Sequence, residues 1–374
     1  MSSENITYDV PINGVSFGQV ALNLLRVEFA NGNLPPVFPR GGTCQTGSLG
    51  VSKNCSQENL DNFNSNLGFC TKNGISNHSR INVAAKLWHI NGLQESFCKR
   101  QIAITFHETS SVTETERDIL SEQDAVIVTS KYTKSVFEKA GLENIHYAPL
   151  GIDRWSFYKS PQPLPEEGVT TFGLSGKLET RKHTLKVLRA WAEEFGNNDK
   201  FRLNCTIFNP HLKAEDQNSI IHNALQGQRY FNINLIPRQE SNSVYNSVLN
   251  SVDIDLTGMS GCEGFNLPLF QSLALGKHAV VLNAHVHKDF CNNENSVLVE
   301  PSSFVEAHDG IFFNKGGQFN QGEWFDFHPD NLKAGMHKAI ERFNKKAVNT
   351  EGEKLSEQNY SELNRKIHEI ANMI

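Results

Sequence analysis

Strand-like and helix-like segments alternate along this 374-residue chain in two successive blocks. Because such alternation is typical of parallel sheets covered by helices on both faces, we predict an α/β protein with two parallel sheets. The strands predicted in the first block are residues 6–10, 86–90, 101–106, 124–129 and 146–150. Those predicted in the second block are residues 169–174, 201–208, 232–236, 254–256 and 279–282.

Helices are predicted at residues 19–29, at 184–194, from the strand end near residue 129 through Phe137, and, with a polar face, at 355–373. A proline-rich stretch, residues 160–165, separates the two blocks and is interpreted as a linker. We therefore expect domains at residues 1–160 and 161–350, with a C-terminal helix at 351–374 that packs back on the first domain. Residues 32–80 are rich in Gly, Asn, Ser and Pro and give no clear secondary-structure pattern. A stretch of this length inside a domain is usually functional, and we expect it to shape an acceptor side.

Composition narrows the class of protein. The net charge is −6 without a basic block, which disfavours a protein whose main task is to grip nucleic acid. No apolar run approaches the roughly 20 residues that span a bilayer, so no stable membrane association is expected. The seven cysteines are odd in number and form no C-x-x-C pair, and the first residues do not resemble a secretory signal. A reducing, cytoplasmic location is the expectation.

The sharpest candidate site lies between Glu263 and Gln271, an acid and an amide eight positions apart. Asn266 is a good N-cap for a helix that carries Pro268 in its first turn and ends near Gly276. Backbone N–H groups at such a helix start attract phosphate, and a nearby carboxylate suits sugar-nucleotide chemistry. The alternative is an ordinary strand–turn–helix unit with a buried polar pair.

Two further candidate sites also follow predicted strands. Residues 14–18 form a glycine turn ending at Gly18, whose small side chain would let the backbone approach a phosphate. Residues 176–183 form a cationic loop in which Lys177, Arg181 and Lys182 could neutralise a diphosphate leaving group. The alternatives are a plain turn and a solvated charged loop. Neither segment has the G-x-G-x-x-G or P-loop spacing, so a nicotinamide, flavin or P-loop site is not supported.

Taken together, these segments resemble retaining GT-B glycosyltransferases of glycosyltransferase family 4. That family carries an E-x7-E motif in a run such as S-x-x-E-G-F-G-L-P-x-x-E-A-x-A-x-G, which residues 260–276 match. Gln271 replaces the second glutamate and Asn266 replaces a glycine. The family loop G-R-L-x-x-x-K-G matches residues 176–183, with lysine at 177 and histidine at 183 as departures. Residues 106–108, 124–130 and 149–153 resemble the V-H-D, D-x-V-I-x-x-S and P-x-G-V-D landmarks.

The resemblance implies a GT-B fold, in which two Rossmann-like domains face each other across a cleft. It also implies roles for particular residues. The residues expected to carry catalysis are His107, beside donor sugar and acceptor, Glu263, on donor-sugar hydroxyls, and Lys182, on the diphosphate. The residues expected to bind the donor are Gly18, Lys177, Lys182, Gly264, Phe265, Asn266, Leu267 and, on the ribose, Gln271.

The function implied is transfer of a hexose-type sugar from a nucleotide-diphosphate sugar, with UDP-sugar favoured, to an acceptor hydroxyl with retained anomeric configuration. No metal or other cofactor is expected to be required. The expected acceptor is a small molecule or glycan, and a hydroxymethylated pyrimidine base in DNA is the alternative. A further alternative is a sugar-nucleotide-binding protein without turnover, since Gln271 lacks the charge with which a carboxylate would hold a ribose.

Overall fold

Two six-stranded parallel sheets form the framework of the protein. The structure is a computed structural model that describes residues 6–76, 78–160 and 168–374. The predicted α/β class and the GT-B arrangement of two Rossmann-like units are both confirmed. Of the predicted linker, residues 161–165 lie outside the described part of the chain, and the predicted domain boundaries remain predictions.

The first sheet has the strand order β2-β1-β3-β4-β5-β6. Its strands are β1 (Ile6–Ile12), β2 (Val37–Cys44), β3 (Val83–Leu87), β4 (Arg100–Thr105), β5 (Ala125–Val128) and β6 (Ile145–Tyr147). The helices of this half are α1 (Ser16–Ala30), α2 (Gln57–Ser76), α3 (Glu114–Ser121) and α4 (Lys131–Lys139). Aliphatic side chains dominate the central strands because helices cover both faces of the sheet.

The second sheet has the order β12-β11-β10-β7-β8-β9. Its strands are β7 (Thr170–Gly176), β8 (Phe201–Ile207), β9 (Ile233–Leu235), β10 (Ile254–Gly258), β11 (His278–Leu282) and β12 (Val297–Val299). The accompanying helices are α5 (Thr184–Phe195), α6 (Ala214–Ala224), α7 (Asn242–Asn250), α8 (Leu267–Ala274), α9 (His287–Phe290) and α10 (Pro329–Lys345). One apolar cluster continues from the first sheet to α8, so the two halves share buried surface.

An antiparallel hairpin and two short helices complete the described chain. The hairpin pairs β13 (Ser303–Glu306) with β14 (Glu323–Asp326), and α11 (Thr350–Glu353) and α12 (Ser361–Met373) follow α10. Helix α12 packs on α1, as expected for a C-terminal helix that crosses back. The contact centres on the buried Glu28 carboxylate, which accepts hydrogen bonds from the Tyr8 hydroxyl and from Asn364 Nδ2 at 2.6 Å and faces His368 Nε2 at 2.7 Å.

Several predicted boundaries were wrong, each for a physical reason. Strand β3 lies three residues earlier than predicted, because buried Lys86 is its penultimate residue, 3.6 Å from Asp9, and residues 90–92 already form a 3₁₀ turn. Strand β6 ends at Tyr147, before Pro149, which has no N–H for a sheet ladder. The helix predicted at 355–373 is interrupted: residues 354–357 form a 3₁₀ turn and α12 begins at Ser361.

The unassigned stretch 32–80 contains strand β2 and helix α2. Leu60, Phe63, Leu67 and Cys70 of α2 are buried at helical spacing, although Asn and Gly weaken the helix propensity of the segment. Gly74 is needed on this helix because a Cβ there would lie 2.3 Å from the Val37 carbonyl oxygen. In the described part of the chain, no helix has both the length and the apolarity needed to cross a membrane.

Candidate active site between the two sheets

The loop between β10 and α8 meets the first sheet directly. The Gly264 carbonyl accepts a hydrogen bond from Thr129 Oγ1 at 2.9 Å, and a Cβ at Gly264 would lie 2.6 Å from Phe106 Cβ. Thr129 follows β5 and Phe106 follows β4, so the carboxyl ends of both sheets converge at this loop. Ligands of open α/β sheets bind at this edge, which makes the loop a candidate binding site.

Asn266 explains why the loop can turn into α8 without a glycine. Its backbone is left-handed, with φ +72° and ψ +64°, a conformation in which Asn is among the best tolerated non-glycine residues. Its side chain caps α8 by accepting from the Leu269 N–H at 3.5 Å and lies 2.9 Å from His287 Nε2. His287 Nδ1 is 3.0 Å from the Leu282 carbonyl, so Nδ1 carries the proton and Nε2 accepts from Asn266. The predicted N-cap is confirmed.

Glu263 is the centre of a buried charge cluster. Its Oε1 is 2.5 Å from Lys182 Nζ and 2.8 Å from Ser260 Oγ, while its Oε2 is 2.9 Å from Arg181 Nη1. Burial alone would raise the pKa of Glu263, but the adjacent Arg181 and Lys182 outweigh it and hold that pKa well below its usual range. Glu263 is therefore a fixed carboxylate anion, able to accept hydrogen bonds from hydroxyl groups.

Arg181 does not face a diphosphate position, contrary to the sequence-based expectation for the cationic loop. It is only 4% exposed, and its guanidinium lies 3.0 Å from Glu108, 3.2 Å from Glu179 and 2.9 Å from Glu263. Arg181 Nη1 also donates to the Cys262 carbonyl at 2.5 Å. The reason is electrostatic: three carboxylates converge there, and a planar guanidinium can bond several acceptors at once. Because Glu108 follows β4, Arg181 joins the two halves of the protein.

Lys177 and Lys182 are the accessible cations of this loop. Lys177 is 43% exposed; its amino group is 3.4 Å from Glu179 and 5.8 Å from the ring centre of Phe312. Lys182 is 16% exposed and pairs with Glu263. Solvent reaches both lysine side chains, whereas Arg181 could meet an anion only by losing its carboxylate partners. The contact of Lys177 and Lys182 with a diphosphate remains a prediction.

Helix α8 brings Gln271 to the same region. Gln271 is buried one turn inside the helix, and its side chain makes no hydrogen bond to any described residue. Phe265 packs with its ring 5.1 Å from Phe270 and 5.6 Å from Phe290, which fixes the loop, and Leu267 opens the helix. The amide of Gln271 thus has no hydrogen-bond partner among the described residues, and its role towards a ribose remains a prediction.

His107 is enclosed rather than open to the cleft. It is buried, its Nε2 is 2.8 Å from the Ser111 carbonyl and 2.9 Å from Thr109 Oγ1, and its ring lies 5.2 Å from Phe137. Burial lowers its pKa, so the imidazole is neutral at physiological pH. These contacts give His107 a structural task, and its predicted contact with substrates remains a prediction.

Gly18 lies inside α1, because the helix begins at Ser16 and not at residue 19 as predicted. A Cβ at Gly18 would lie 2.1 Å from the Asn13 carbonyl oxygen, so the close approach that requires glycine is to the chain itself. Nearby, the Phe17 ring lies 4.4 Å from His89, 4.8 Å from Phe106 and 5.9 Å from Trp88. Gly18 is therefore near the cleft, and its approach to a phosphate remains a prediction.

The β13–β14 hairpin and its connecting loop, residues 303–326, form what we name the strap. The strap runs from the second half onto the loop that follows β4. Trp324 Nε1 donates to the Glu108 carbonyl at 3.0 Å, and Thr113 Oγ1 donates to the Gln318 carbonyl at 2.6 Å. The Asn320 N–H donates to Glu116 at 2.8 Å. The strap thus fixes the segment that carries His107 and Glu108.

Sequence reasoning missed the strap and the structural role of Arg181, and it noted Glu108 only as part of the 106–108 landmark. The spacing of Glu179 and Arg181 in one loop was the only local signal, because the other partners are more than 70 residues away in sequence. Among the described residues, no group of three or more His, Cys, Asp or Glu side chains is placed to hold a metal ion.

Neither a protein-family model nor a curated protein sequence matches the chain. Several solved structures are similar in fold at low identity. Anabaena Alr3699/HepE, in complex with UDP and glucose, aligns at a TM-score of 0.67 and 12% identity over 99% of both chains. A glycosyltransferase from Rickettsia africae aligns at 0.66 and 12%, over 99% of this chain and 98% of that one.

S. aureus TarM aligns at a TM-score of 0.55 and 12% identity over 79% of this chain; the alignment spans 55% of TarM, about half its length. At these identities the similarity establishes the two-domain GT-B fold.

Proposed function

We propose that this protein is a glycosyltransferase that takes its sugar from a nucleotide-diphosphate sugar. The observation that carries the proposal is the pairing of Glu263 with Lys182, at 2.5 Å, directly before helix α8. A carboxylate for sugar hydroxyls, a lysine for phosphate and a helix N-terminus then lie side by side. UDP is the favoured nucleotide, and the complexes of the similar Anabaena protein with UDP and UDP-glucose support this choice.

The chemistry follows from the charges at the site. Lys177 and Lys182 would neutralise the diphosphate as it leaves, which lowers the barrier because the charge develops on those oxygens. Glu263 would hold donor-sugar hydroxyls, and Gln271 would hold the ribose. A diphosphate is a good leaving group and needs little protonation, so the donor side does not require a general acid. The resemblance to glycosyltransferase family 4 supports retention of the anomeric configuration and a hexosyl donor.

The acceptor would bind on the first half, opposite the donor loop. The rings of Phe17, Trp88, His89 and Phe106 cluster there, and Phe106 touches the donor loop at Gly264. Such rings suit an acceptor with a flat apolar face, so a sugar or small molecule is the favoured class. The net charge of −6 disfavours the alternative, a hydroxymethylated base in DNA. A cytoplasmic location and domains divided near residues 160 and 350 belong to the same proposal.

A sugar-nucleotide-binding protein without turnover is the second candidate. The uncharged Gln271 favours it, because an amide holds a ribose less strongly than a carboxylate does. Release of the nucleotide product from a donor separates the two candidates, since a binding protein keeps its donor intact.

A thermal-shift screen with UDP, GDP and their sugar conjugates tests the donor site. A ligand at 100 times its Kd should stabilise the protein by about 2.7 kcal/mol. The Lys177→Met/Lys182→Met variant should lose the shift, and the matched control, Lys338→Met on α10, should retain it. If no nucleotide raises the melting temperature of the wild-type protein, the proposed donor site is wrong.

A further inference from the structure

Glu263 has two cationic partners, one on each carboxylate oxygen. Lys182 contacts Oε1 at 2.5 Å, and Arg181 contacts Oε2 at 2.9 Å. The two partners differ in the number of protein groups that hold them. Arg181 is 4% exposed and tied to Glu108, Glu179 and the Cys262 carbonyl. Lys182 has Glu263 as its one ion-pair partner among the described residues.

Binding of a diphosphate creates a competition for Lys182. The ion pair between Lys182 and Glu263 weakens when Lys182 also neutralises phosphate oxygens. A buried carboxylate that loses its only counter-ion becomes strongly destabilised or takes up a proton, and a protonated Glu263 would hold sugar hydroxyls less well. A second cation that stays in place removes this difficulty.

We propose that Arg181 is a positioning residue that holds Glu263 as a fixed carboxylate while Lys182 moves to the diphosphate of the donor. The inference rests on the proposed function and adds a task for a residue outside the donor contacts. Because Arg181 also pairs with Glu108 of the first half, the position of the donor-side carboxylate depends on the approach of the two halves.

The surroundings of Glu263 support this task. Glu108 and Glu179 add two more carboxylates to the cluster, and buried His285 and His287 are neutral because burial lowers their pKa values, that of His287 to about 4. Three carboxylates thus share Arg181, and only Glu263 among them also pairs with Lys182. Without Arg181, Lys182 would be the only cation on Glu263. Glu263 would then retain Lys182 more strongly, and less of its charge would be available to the diphosphate.

The test compares Arg181→Met, Arg181→Lys and Glu108→Gln with the wild-type protein, with Arg189→Met on the exposed face of α5 as the matched control. UDP affinity is measured by calorimetry, and kcat and donor KM are measured from pH 4.5 to 8.5. Arg181→Met should weaken UDP binding at least fivefold and lower kcat at least tenfold at pH 7. In the pH profile of kcat, the acidic limb of Arg181→Met should lie at least one unit above that of the wild-type protein and within the measured range, because Glu263 loses the guanidinium that holds its pKa well below its usual range.

Arg181→Lys should restore the acidic limb of the kcat profile to its wild-type position, because lysine returns the positive charge beside Glu263. Glu108→Gln should lower kcat without moving the acidic limb, because Arg181 still faces Glu263. If Arg181→Met does not fold, Arg181→Lys is tested alone. The proposal would be overturned if the acidic limb of kcat in Arg181→Lys lay one pH unit above that of the wild-type protein.

An Arg181→Met protein that folds and loses activity equally at every pH would also overturn the proposal, as would wild-type kinetics in Glu108→Gln. These results would leave the donor site itself intact if the wild-type protein binds UDP. A wild-type protein that binds no UDP would refute the donor site and the task of Arg181 together.

Discussion

Replacement of Asn266 by alanine and by glycine separates what its backbone contributes from what its side chain contributes. The residue sits at φ +72°, caps α8 through Leu269, and donates to the Thr257 carbonyl at 3.3 Å and to His287 Nε2 at 2.9 Å. Both substitutions remove the side-chain bonds. Only alanine must also place a Cβ in the left-handed region.

The magnitudes follow from these contacts. Loss of the donor to buried His287 leaves an unsatisfied acceptor, at about 1–3 kcal/mol, and loss of the cap costs about 0.5–1 kcal/mol because the bond to Leu269 is long. Both variants therefore lose about 1.5–4 kcal/mol. Alanine loses a further 1–2 kcal/mol, roughly, for the left-handed backbone. Glycine loses about 0.5–1 kcal/mol through the greater freedom of its unfolded chain, so alanine should be less stable than glycine by about 0.5–1 kcal/mol.

Equilibrium urea unfolding measures the order, and UDP calorimetry measures the effect on the site. The matched control is Asn197, which has φ +58° in the turn between α5 and β8, away from the cleft. There the alanine variant should again be less stable than the glycine variant, with UDP affinity unchanged. An Asn266→Ala protein as stable as, or more stable than, Asn266→Gly would refute the backbone argument.

Three further changes test other parts of the structure. Gln271→Glu should tighten UDP binding about fivefold, because a charge-assisted bond to a ribose is about 1 kcal/mol stronger than a neutral one; calorimetry checks this, and weaker binding would contradict the ribose assignment. Folding lowers the pKa of Glu28 below its ordinary value. Burial raises this pKa, but hydrogen bonds from His368, Tyr8 and Asn33 outweigh that effect. The stabilisation by Glu28 is therefore complete above about pH 4.5 and is lost as the pH falls through the folded-state pKa. Urea unfolding from pH 3 to 7 should show that the unfolding free energy falls less steeply with acid in Glu28→Gln than in the wild-type protein, and equal slopes would contradict this. Gly264→Ala should lower kcat while the protein remains folded, because the added Cβ would press on Phe106 and separate the donor loop from the first sheet. A wild-type kcat in that variant would show that the contact is not needed.

The fold could be predicted from sequence because its signals are local. The strand Ala125–Val128 is a continuous apolar run, and the helix Thr184–Phe195 has apolar residues at helical spacing. The Asn266 cap is indicated by the residues next to it. Residues 32–80 could not be assigned because Asn and Gly mask the helical spacing of α2. Helix α2 gains its stability from packing, which propensity does not express.

The charge cluster of the site depends on long-range contacts. Lys182 and Glu263 were predicted as site residues from their motifs, yet nothing in the loop sequence shows that Arg181 turns inward while Lys177 stays exposed. That choice depends on Glu108, which a different sheet supplies. The buried environment of His107 likewise depends on Thr109, Ser111 and Phe137.

The central claim is that the site around Glu263 and Lys182 consumes a nucleotide-diphosphate sugar. The most direct measurement is release of UDP from UDP-glucose and other UDP-sugars, with and without candidate acceptors, in the wild-type protein and in Lys182→Met. We expect release of UDP by the wild-type protein with at least one donor, at a rate at least a hundredfold above that of the lysine variant. Undetectable release with every donor, from a protein that still binds UDP, would contradict a transferase and support the binding protein without turnover.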